Sequence, residues 1–432
     1  MHGNLRLLVV GSGGREHALA WACEKSPLVE RVLVAPGNGG IARENRRNVQ
    51  MMDFNGITGL AREEHIDLVI VGPEVPLVGG LVDCLASAGI KAFGPSARAA
   101  RLEGSKIYMK GFCASSVIPT AAWRWAGSYA KAKDIIPVWR HMNHGIVPVI
   151  KADGLCGGKG AVVPKSLEEA YAAAQAMLRG DAPYGAAGAR IVIEDRLIGS
   201  ECSIMAFCAG FDYRLLPASR DHKRARSGDK GPNTGGMGGY SPLPGVDETL
   251  LQQICERIIE PTLHGMTYYE SAPFYGMLYA NLMLTADGPY VLEFNVRFAD
   301  PETQFVLPRL KTDIVPYLFA CAEPHGLAGL PELEVSSDVA VGYTLAERGY
   351  PGKVTTGHCI SGIEADMPGT LLFHAGTEWD AEGLRLVTSS GRVATAVGLG
   401  PTFPLARSRA AARADSISFT GKRWRKDIAL NV

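Results

Sequence analysis

The stretch from Val291 to Gln304, VLEFNVRFADPETQ, holds side chains whose types and spacing suit phosphate chemistry. Glu293 and Asn295 are two residues apart, so on a strand their side chains point to the same face. A carboxylate beside an amide oxygen suits Mg²⁺, which takes few protein ligands and keeps positions for water and phosphate. Arg297 continues this face with a forked cation suited to carboxylate or phosphoryl oxygens. Taken alone, this spacing is better interpreted as an edge strand with a solvated polar face.

A glycine-rich loop begins at Lys151, in the sequence KADGLCGGKG. Its glycines add little bulk, so its backbone amides could lie against phosphates, and Lys159 adds positive charge. It is not a Walker A loop, because three residues instead of four separate its outer glycines and Gly160 stands where Ser or Thr should be. A mobile hairpin tip with solvent-exposed lysines is an equal alternative.

The segment RIVIEDRLIGSE predicts a strand that ends at Glu194 and is followed by backbone without helix or strand partners. Free N–H and C=O groups there could bind the edge of an adenine ring, and Glu201 could bind ribose hydroxyls. Taken alone, this segment is better interpreted as a strand and turn with surface carboxylates.

The segment from Ser219 to Pro242, SRDHKRARSGDKGPNTGGMGGYSP, is dense in residues typical of functional sites, and its part GPNTGGMGGY shows no helix or strand periodicity. A glycine-rich loop of this length in a compact domain is either disordered or functional. Several of its residues argue against a plain linker and favour function: Asp221, His222, Lys223, Asn233, Thr234 and Met237.

Near the N-terminus, GSGGREH follows the first predicted strand. It superficially suggests a dinucleotide fingerprint, but Glu16 occupies the third glycine position and the second strand ends without an acid for a ribose. A nicotinamide-dependent oxidoreductase is therefore a weakened alternative. The turn and Arg15 at a helix N-terminus still form an anion site, which we interpret as holding a sugar phosphate. A tight strand-to-helix turn is the plain alternative.

These motifs need rigid elements to position them, and residues 5 to 100 alternate strand-like and helix-like runs. LRLLVVG, ERVLVAPG, DLVIVGPE and IKAFGPS predict buried parallel strands, and REHALAWACEK and PLVGGLVDCLASAG predict the covering helices. Such doubly wound sheets bind ligands beyond the carboxyl ends of their strands, where GSGGREH, APGNGG and VGPEVPL lie.

A second region follows, with an inserted α+β unit at about 120–195 that contains VPVIKADG, SLEEAYAAAQAMLRG and RIVIED. The last region is rich in strands. Its basic end, which runs from Ala406 to the final KRWRKDIALNV, predicts a solvated last helix and tail. The expected fold class is α/β, with a doubly wound parallel-sheet domain at 1–104, a second domain at 105–322 and a small α+β domain at 323–432.

Composition and charge narrow the class of protein. The 432 residues carry 44 Lys+Arg against 44 Asp+Glu, which argues against bulk electrostatic binding to nucleic acid or membranes. The nine cysteines include no CxxC pair and no zinc-spaced cluster, which predicts reduced thiols. The N-terminal LRLLVV leads straight into a turn, and no apolar run has the length of a membrane span. We therefore expect a cytoplasmic enzyme.

The loop at Lys151, the hinge at Glu194 and the strand bearing Glu293 and Asn295 are similar to those of the ATP-grasp superfamily. A closer resemblance, to the glycinamide ribonucleotide synthetase family, rests on GSGGREHALAW, APGNGG, VGPEVPLVGGLVD, LEGSK, DHKR, GDKGPNTGGMGGYSP, EFNVRFADPETQ and GRVATAVGLG. It covers almost the whole chain in the right order, and GPNTGGMG with RFADPETQ is highly specific. It implies that the second region is an ATP-grasp domain with an inserted lid.

The resemblance implies an ATP-dependent ligase of de novo purine biosynthesis. ATP would phosphorylate glycine, and the amine of 5-phosphoribosylamine would attack the glycyl phosphate, giving glycinamide ribonucleotide, ADP and phosphate. The implied cofactors are ATP and Mg²⁺ or Mn²⁺, with Glu293 and Asn295 as metal ligands. Asp221 would receive the ammonium of glycine, and Arg297 would steady acyl or phosphoryl oxygens.

The resemblance also implies roles for further residues. The catalytic residues would be Arg297, Lys223 and Asp221. The ATP-binding residues would be Lys106, Lys151, Gly157, Gly158, Lys159, Gly160, Glu194, Asp195, Leu197 and Glu201. The substrate-binding residues would be Gly13, Gly14, Arg15, Glu16, Asn38, Gly72, Pro73, Glu74, His222, Asn233, Thr234, Gly235 and Asp300.

Three residues depart from the pattern of the family. Ser12 stands where it usually has Asn, Ala299 where it has Gly, and Asn281 where it has Gly. The first two affect the expected substrate geometry and not the reaction class. A hairpin through Asp287-Gly288 should place Asn281 beside the strand of Glu293; we expect a one-residue register change to turn Asn281 away, and a contact near the metal is the alternative.

Two other functions remain open: another ATP-grasp carboxylate–amine ligase, and an inactive nucleotide-binding protein, against which the intact set of polar residues argues. The expected partners are small-molecule substrates, with no nucleic acid and no membrane. We also expect a transient contact with the enzyme that makes phosphoribosylamine, and we expect the protein to be a monomer or a weak homodimer.

Overall fold

A computed structural model describes residues 3–324 and 326–432 of the chain. The N-terminal elements, in chain order, are β1 (Leu5–Gly11), α1 (Gly14–Glu24), β2 (Val29–Pro36), α2 (Phe54–Glu63), β3 (Leu68–Val71), α3 (Glu74–Val78), α4 (Leu81–Ser87), β4 (Ala92–Phe93) and α5 (Ala97–Gly104). The four strands form a parallel sheet in the order β2-β1-β3-β4. Their branched aliphatic runs are buried because helices cover both faces, which confirms the predicted doubly wound domain.

One predicted helix of this domain is divided in two. The segment PLVGGLVDCLASAG forms α3 and α4, which meet at Gly79 and Gly80. Gly80 has a φ of +90°, a left-handed conformation that side chains rarely adopt, so the chain changes direction there.

The inserted unit packs two helices on a four-stranded antiparallel sheet. After α6 (Lys106–Ser115), its elements are β5 (Trp123–Ala126), α7 (Tyr129–Met142), β6 (Val149–Ala152), β7 (Ala161–Val162), α8 (Leu167–Arg179) and β8 (Ile191–Glu194). The strand order is β5-β8-β6-β7, so the glycine-rich loop joins the adjacent strands β6 and β7. A separate cluster of buried aliphatic side chains forms the core of this unit.

The rest of the middle region contains a second antiparallel sheet. Its elements are β9 (Ser200–Ala209), β10 (Asp212–Leu215), β11 (Arg220–Asp221), β12 (Arg224–Arg226), β13 (Lys230–Asn233), β14 (Gly238–Ser241), α9 (Glu248–Ile254), α10 (Glu260–Tyr268), β15 (Tyr275–Thr285), β16 (Gly288–Asn295), α11 (Glu302–Val306) and α12 (Val315–Ala320). One turn of π-helix, Cys255–Ile259, joins α9 to α10. The sheet order is β10-β9-β15-β16, and β15 and β16 form the predicted hairpin.

The C-terminal region completes a third sheet. Its elements are β17 (Val339–Ala346), β18 (Thr370–His374), β19 (Thr377–Trp379), β20 (Leu386–Thr388), β21 (Arg392–Gly400) and α13 (Phe403–Ser416). The five-stranded sheet has the order β11-β14-β17-β21-β18, so two strands from the middle of the chain pair with the C-terminal ones. Its strand-rich character was predicted from the sequence.

Two local expectations were wrong. The segment from Ser219 to Pro242 is not an irregular loop but contains β11 to β14. Its strands can pair because its glycines allow the backbones to come close: a Cβ on Gly239 would clash with the carbonyl oxygen of Arg220. The basic end contains the predicted last helix, α13, but its tail is not fully solvated. Arg425 is buried and forms ion pairs with Asp229 and Asp427, which attach the tail to the β12–β13 hairpin.

None of the helices within the described residues combines the length and the apolar character that crossing a membrane requires.

Two histidines pack against each other where α1 meets β18. The backbone N–H of His374 donates a hydrogen bond to Nδ1 of His17 at 2.9 Å. Burial and the neighbouring His374 lower the pKa of His17 to about 3, and burial lowers the pKa of His374 to about 4. Both rings therefore stay neutral in the folded protein at pH values where an unfolded chain, with a pKa of about 6.5, binds protons.

We expect the free energy of unfolding to fall as the pH drops from 6.5 towards 4, because only the unfolded state gains these protons. His17→Asn removes one of the two groups and keeps an acceptor for the N–H of His374. Its unfolding free energy should depend less on pH, by up to about 1.4 kcal/mol per pH unit. Urea unfolding at several pH values measures this slope, and parallel curves for the two proteins would contradict the assignment.

Candidate active site

The polar face of the second sheet contains the first cluster. Asn281 pairs with Ser203 on one side and with Glu293 on the other, and Tyr279 pairs with Asn295. Because residues directly opposite each other share a face, these side chains form rows across three strands. Asn281, Glu293 and Asn295 line one cavity of about 500 Å³, so Glu293 and Asn295 share a face as predicted.

Nearby cations hold Glu293 in its ionised form. The ammonium of Lys223 lies 3.6 Å from Glu293 and 3.5 Å from Glu201. Burial by itself would raise the pKa of Glu293, but Lys223, Lys106, Lys151 and Arg297 lower it to about 2. A carboxylate with this pKa is fully charged at neutral pH and can bind a cation.

Arg297 is held by two carboxylates from the N-terminal region, Glu74 on α3 and Glu103 on α5. Its guanidinium lies 3.1 Å from Glu103 and 3.4 Å from Glu74, and it donates a hydrogen bond to Oδ1 of Asn295 at 3.2 Å. Burial raises the pKa of Glu103 to about 7, although Arg297 lowers it. These contacts fix the position of Arg297 at the junction of two domains.

A buried ion triad joins β6 and β8 of the inserted unit to α6. Glu194, at the end of β8, forms ion pairs with Lys110 and Lys151, each with an N···O distance of 2.6 Å. Lys151 also donates to the carbonyl oxygen of Leu292 at 3.0 Å, and Lys110 donates to Oγ1 of Thr120 at 2.7 Å. The Lys110 side chain is fully buried, so it neutralises Glu194 from behind while Lys151 reaches the cavity.

The glycine-rich loop is anchored at its base and touches the opposite wall at its tip. Asp153 accepts hydrogen bonds from Ser105 and from the backbone N–H of Ile107 at the start of α6. Gly158 has a φ of +76°, and a Cβ there would lie 3.0 Å from the Cα of Gly235. The loop can therefore approach this wall closely only because both residues lack side chains.

Two acidic groups lie deeper in the cavity. Burial and the nearby Glu302 raise the pKa of Asp221 well above its usual range, although Lys223 opposes this. The Oδ1 atom of Asp221 is buried without a hydrogen-bond partner. Glu302 instead accepts hydrogen bonds from Tyr279 at 2.8 Å and Ser203 at 3.1 Å. Asp221 is thus an acceptor that a bound cation, such as an ammonium group, would satisfy.

A second cavity, of about 710 Å³, lies between the N-terminal sheet and the C-terminal region. Ser12 and Gly13 contribute the turn after β1 to its wall, together with Asn38, whose amide donates to the carbonyl oxygens of Ser12 and His374. Arg392, on β21, forms an ion pair with Asp300 at 2.9 Å. Both cavities are lined by Gly157, Gly235, Asp300 and Arg392.

Most of the residues predicted from the sequence line these cavities. The first cavity contains Arg15, Pro73, Glu74, Lys106, Lys151, Gly157, Gly158, Gly160, Glu194, Asp195, Leu197, Glu201, Asp221, Lys223, Asn233, Thr234, Gly235, Glu293, Asn295, Arg297 and Asp300. The second contains Gly13, Asn38 and Lys159, with Gly157, Gly235 and Asp300 shared.

Four predicted substrate residues line neither cavity. Gly14 packs against Gln304, and Gly72 packs against Glu16. Glu16 itself turns inward, where it accepts hydrogen bonds from the N–H of Gly13 and from Arg15. His222 packs against Tyr240. These four residues therefore contribute to the packing around the cavities and not to the cavity walls.

Several polar residues complete the site but were not predicted from the sequence: Glu103, Lys110, Tyr279, Glu302 and Arg392. Glu302 and Arg392 stand inside the quoted motifs RFADPETQ and GRVATAVGLG, so the motifs themselves were the available signal. Lys110 had none, since a lysine in an ordinary helix is usually exposed.

The first cavity lies between two antiparallel sheets and beside a glycine-rich loop. It is lined by lysines and by β16, which carries Glu293 and Asn295. This arrangement defines an ATP-grasp enzyme. Three regions match the family described as Phosphoribosylglycinamide synthetase: residues 5–103 its N domain, 104–303 its ATP-grasp (A) domain and 340–431 its C domain. The chain belongs to the phosphoribosylglycinamide synthetase family.

Individual relatives agree over their full length. Proteins described as phosphoribosylamine–glycine ligase from Caulobacter vibrioides and Halalkalibacterium halodurans are 46% and 44% identical to this chain. Both matches cover 98% of this chain, and they cover 97% and 96% of the relatives. The crystal structure of a phosphoribosylamine–glycine ligase from Thermotoga maritima is 32% identical with a TM-score of 0.80, covering 98% of this chain and 100% of that one.

Proposed function

We propose that this protein joins glycine to 5-phosphoribosylamine at the expense of ATP, giving glycinamide ribonucleotide, ADP and phosphate. The observation that carries the proposal is the meeting of two cavities at Gly157, Gly235, Asp300 and Arg392. A nucleotide bound in the first cavity and a sugar phosphate bound in the second would have their reacting groups next to Asp221, Glu293 and Glu302. Family membership supports the same reaction.

The first cavity suits ATP. Apolar side chains from both sheets and from the segments after β7 and β8 line the part next to the hinge and would enclose a purine ring: Val149, Val163, Leu197, Met283 and Leu292. Backbone groups after Glu194 would bind the adenine edge, and Glu201 would bind ribose hydroxyls. Lys106 and Lys151 reach the same cavity and would bind phosphate oxygens, with the glycine-rich loop above them.

The donor set suits a divalent cation, which we propose is Mg²⁺, with Mn²⁺ as a substitute. Glu293 is ionised, Asn295 adds an amide oxygen, and a neighbouring buried oxygen, Oδ1 of Asn281, has no partner. No cluster of three His, Cys, Asp or Glu suited to a metal occurs among the described residues, so phosphate and water would supply the other ligands. A cation there would neutralise charge on the transferring phosphoryl group.

Glycine would bind beside Asp221, whose unpartnered oxygen would accept its ammonium. Its carboxylate would then face Arg297, which holds the negative oxygens in place. A carboxylate is a poor acyl donor because its leaving group would be oxide, and transfer of the γ-phosphoryl group to it supplies phosphate as a leaving group. The amine of phosphoribosylamine then attacks the acyl carbon, the C–N bond forms and phosphate leaves.

The proposal is tested by measuring phosphate release from ATP with glycine, with and without phosphoribosylamine. We expect sustained release only when both substrates are present, with one glycinamide ribonucleotide formed per phosphate. Release that requires a different carboxylate or a different amine would contradict the proposed substrates and indicate another ATP-grasp ligase.

We also propose that the loop from Asp153 to Gly160 is a lid that nucleotide orders. Gly157 and Gly158 at its tip are exposed, whereas Lys159 is half-buried and Gly160 is buried, so trypsin should cleave after Lys159 when the loop opens in the free protein. Added ATP should slow this cleavage, because the loop then lies on the phosphates. Cleavage after the exposed Lys311 is an internal control for protease activity. Equal cleavage after Lys159 with and without ATP would show that the loop is not a nucleotide-dependent lid.

Some finer assignments stay proposals. We propose domain boundaries of 1–104, 105–322 with the lid at about 120–195, and 323–432; the family matches at 5–103, 104–303 and 340–431 support them. A cytoplasmic location, a monomeric or weakly dimeric state and a transient contact with the enzyme that makes phosphoribosylamine remain predictions from the sequence.

A further inference from the structure

Asn281 lies in the middle of the polar row of the second sheet. It is directly opposite Glu293, and the irregularity in the β15–β16 register falls between Asn281 and Leu282. The sequence-based expectation that a register change turns Asn281 away is therefore wrong, because the irregularity comes after this residue. Asn281 and Glu293 share a face and line the same cavity.

The Oδ1 atom of Asn281 is buried and has no hydrogen-bond partner, and the whole residue is only 2% exposed. Its neighbours are already engaged. Ser203 bonds to Tyr279 and Glu302, and the ammonium of Lys223 lies between Glu201 and Glu293. A buried amide oxygen without a partner is destabilising, and in a binding site it marks a group that a ligand satisfies.

We infer that Asn281 is a third protein oxygen ligand of the divalent cation that Glu293 and Asn295 bind, an inference that rests on the proposed function. An amide oxygen is a hard neutral donor of the kind that Mg²⁺ and Mn²⁺ accept. It adds no charge to a site whose phosphate ligands are already strongly negative. The cation would thus contact two adjacent strands, β15 and β16, instead of one.

A cation fits this oxygen better than the nucleotide does. The phosphate groups of ATP are themselves acceptors, so they cannot satisfy a second acceptor without a proton or a cation between them. A ribose hydroxyl could donate to Asn281, but Glu201 follows the hinge at Glu194 more closely along the chain and has a more exposed side chain. Two variants separate the alternatives, because Asn281→Asp keeps an oxygen ligand whereas Asn281→Ala removes it.

The experiment measures the affinity of the protein–ADP complex for Mn²⁺ from the electron paramagnetic resonance signal of free Mn²⁺. We expect Asn281→Ala to weaken Mn²⁺ binding by about 10-fold or more, on the scale of losses at metal sites. Asn281→Asp should bind Mn²⁺ as tightly as wild type or more tightly. Ser219→Ala is a matched control, because it removes another buried, unpartnered oxygen from a residue that does not line the cavity.

Glu293→Gln separates this inference from the proposed function. If Glu293→Gln weakens Mn²⁺ binding and Asn281→Ala binds it like wild type, the Asn281 inference is wrong and the metal site stands. If Glu293→Gln also binds Mn²⁺ normally, the metal site itself is wrong. Calorimetry of ADP binding without metal provides the last check: a loss in Asn281→Ala there, with Mn²⁺ affinity unchanged, would assign Asn281 to the nucleotide and overturn the inference.

Discussion

Glu293→Gln is expected to lower turnover by about 100-fold or more without unfolding the protein. The glutamine keeps the size of the side chain but removes the charge that Lys223, Lys106 and Lys151 hold beside the cavity. Asn295→Leu should have a similar effect, because it removes the neighbouring amide oxygen. Phosphate release at saturating ATP, glycine and phosphoribosylamine measures turnover, and circular dichroism verifies the fold.

Glu334→Gln is the matched control for Glu293→Gln. Glu334 forms an exposed ion pair with Lys311 and lines neither cavity, so its neutralisation should leave turnover near that of wild type. Near-normal turnover in Glu293→Gln or Asn295→Leu at saturating Mg²⁺ would refute the metal assignment for that residue.

The second large effect concerns stability. Lys110→Met should reduce the free energy of unfolding by about 3 kcal/mol or more, because it leaves the buried Glu194 with one cation instead of two. Lys110 and Glu194 are both inaccessible to solvent and 2.6 Å apart, so water cannot compensate for the lost charge. Urea unfolding followed by circular dichroism measures the difference.

Two further variants test whether that loss of stability comes from the uncompensated charge of Glu194. Lys311→Met breaks an exposed ion pair and should cost no more than about 1 kcal/mol. The double variant Lys110→Met/Glu194→Gln should recover part of the lost stability, because the uncompensated charge is also removed. If Lys110→Met costs no more than Lys311→Met, Lys110 is not an important partner of Glu194.

Local patterns predicted the elements of the fold well. The strands β1 to β4 are short aliphatic runs that end at Gly or Pro, and α8 has a clear amphipathic repeat, so both follow from chain-local physics. The segment 219–242 was missed because its strands form through backbone contacts between glycines, which carry no hydrophobic alternation. Its pairing depends on β17, which lies far along the chain.

The site was predictable where its residues are close in sequence. Glu293, Asn295 and Arg297 share a face because of the two-residue period of one strand. The ion pair of Arg392 with Asp300 joins residues 92 positions apart, and no local pattern indicates it. The burial of Lys110 likewise depends on Glu194, which the inserted unit brings to α6 only after folding.

The ribosome synthesises β14 before β17, so β14 cannot pair until the later strand has been made. Ser241 leaves the ribosome about 100 residues before Val339, so at roughly 5–20 residues per second β14 waits roughly 5–20 s for its partner. During that interval the middle region has an unpaired strand edge. The edge consists of Gly238, Gly239, Tyr240 and Ser241 and contains no branched aliphatic residue. It is therefore less prone to pair with the nascent chains of neighbouring ribosomes on the same messenger RNA.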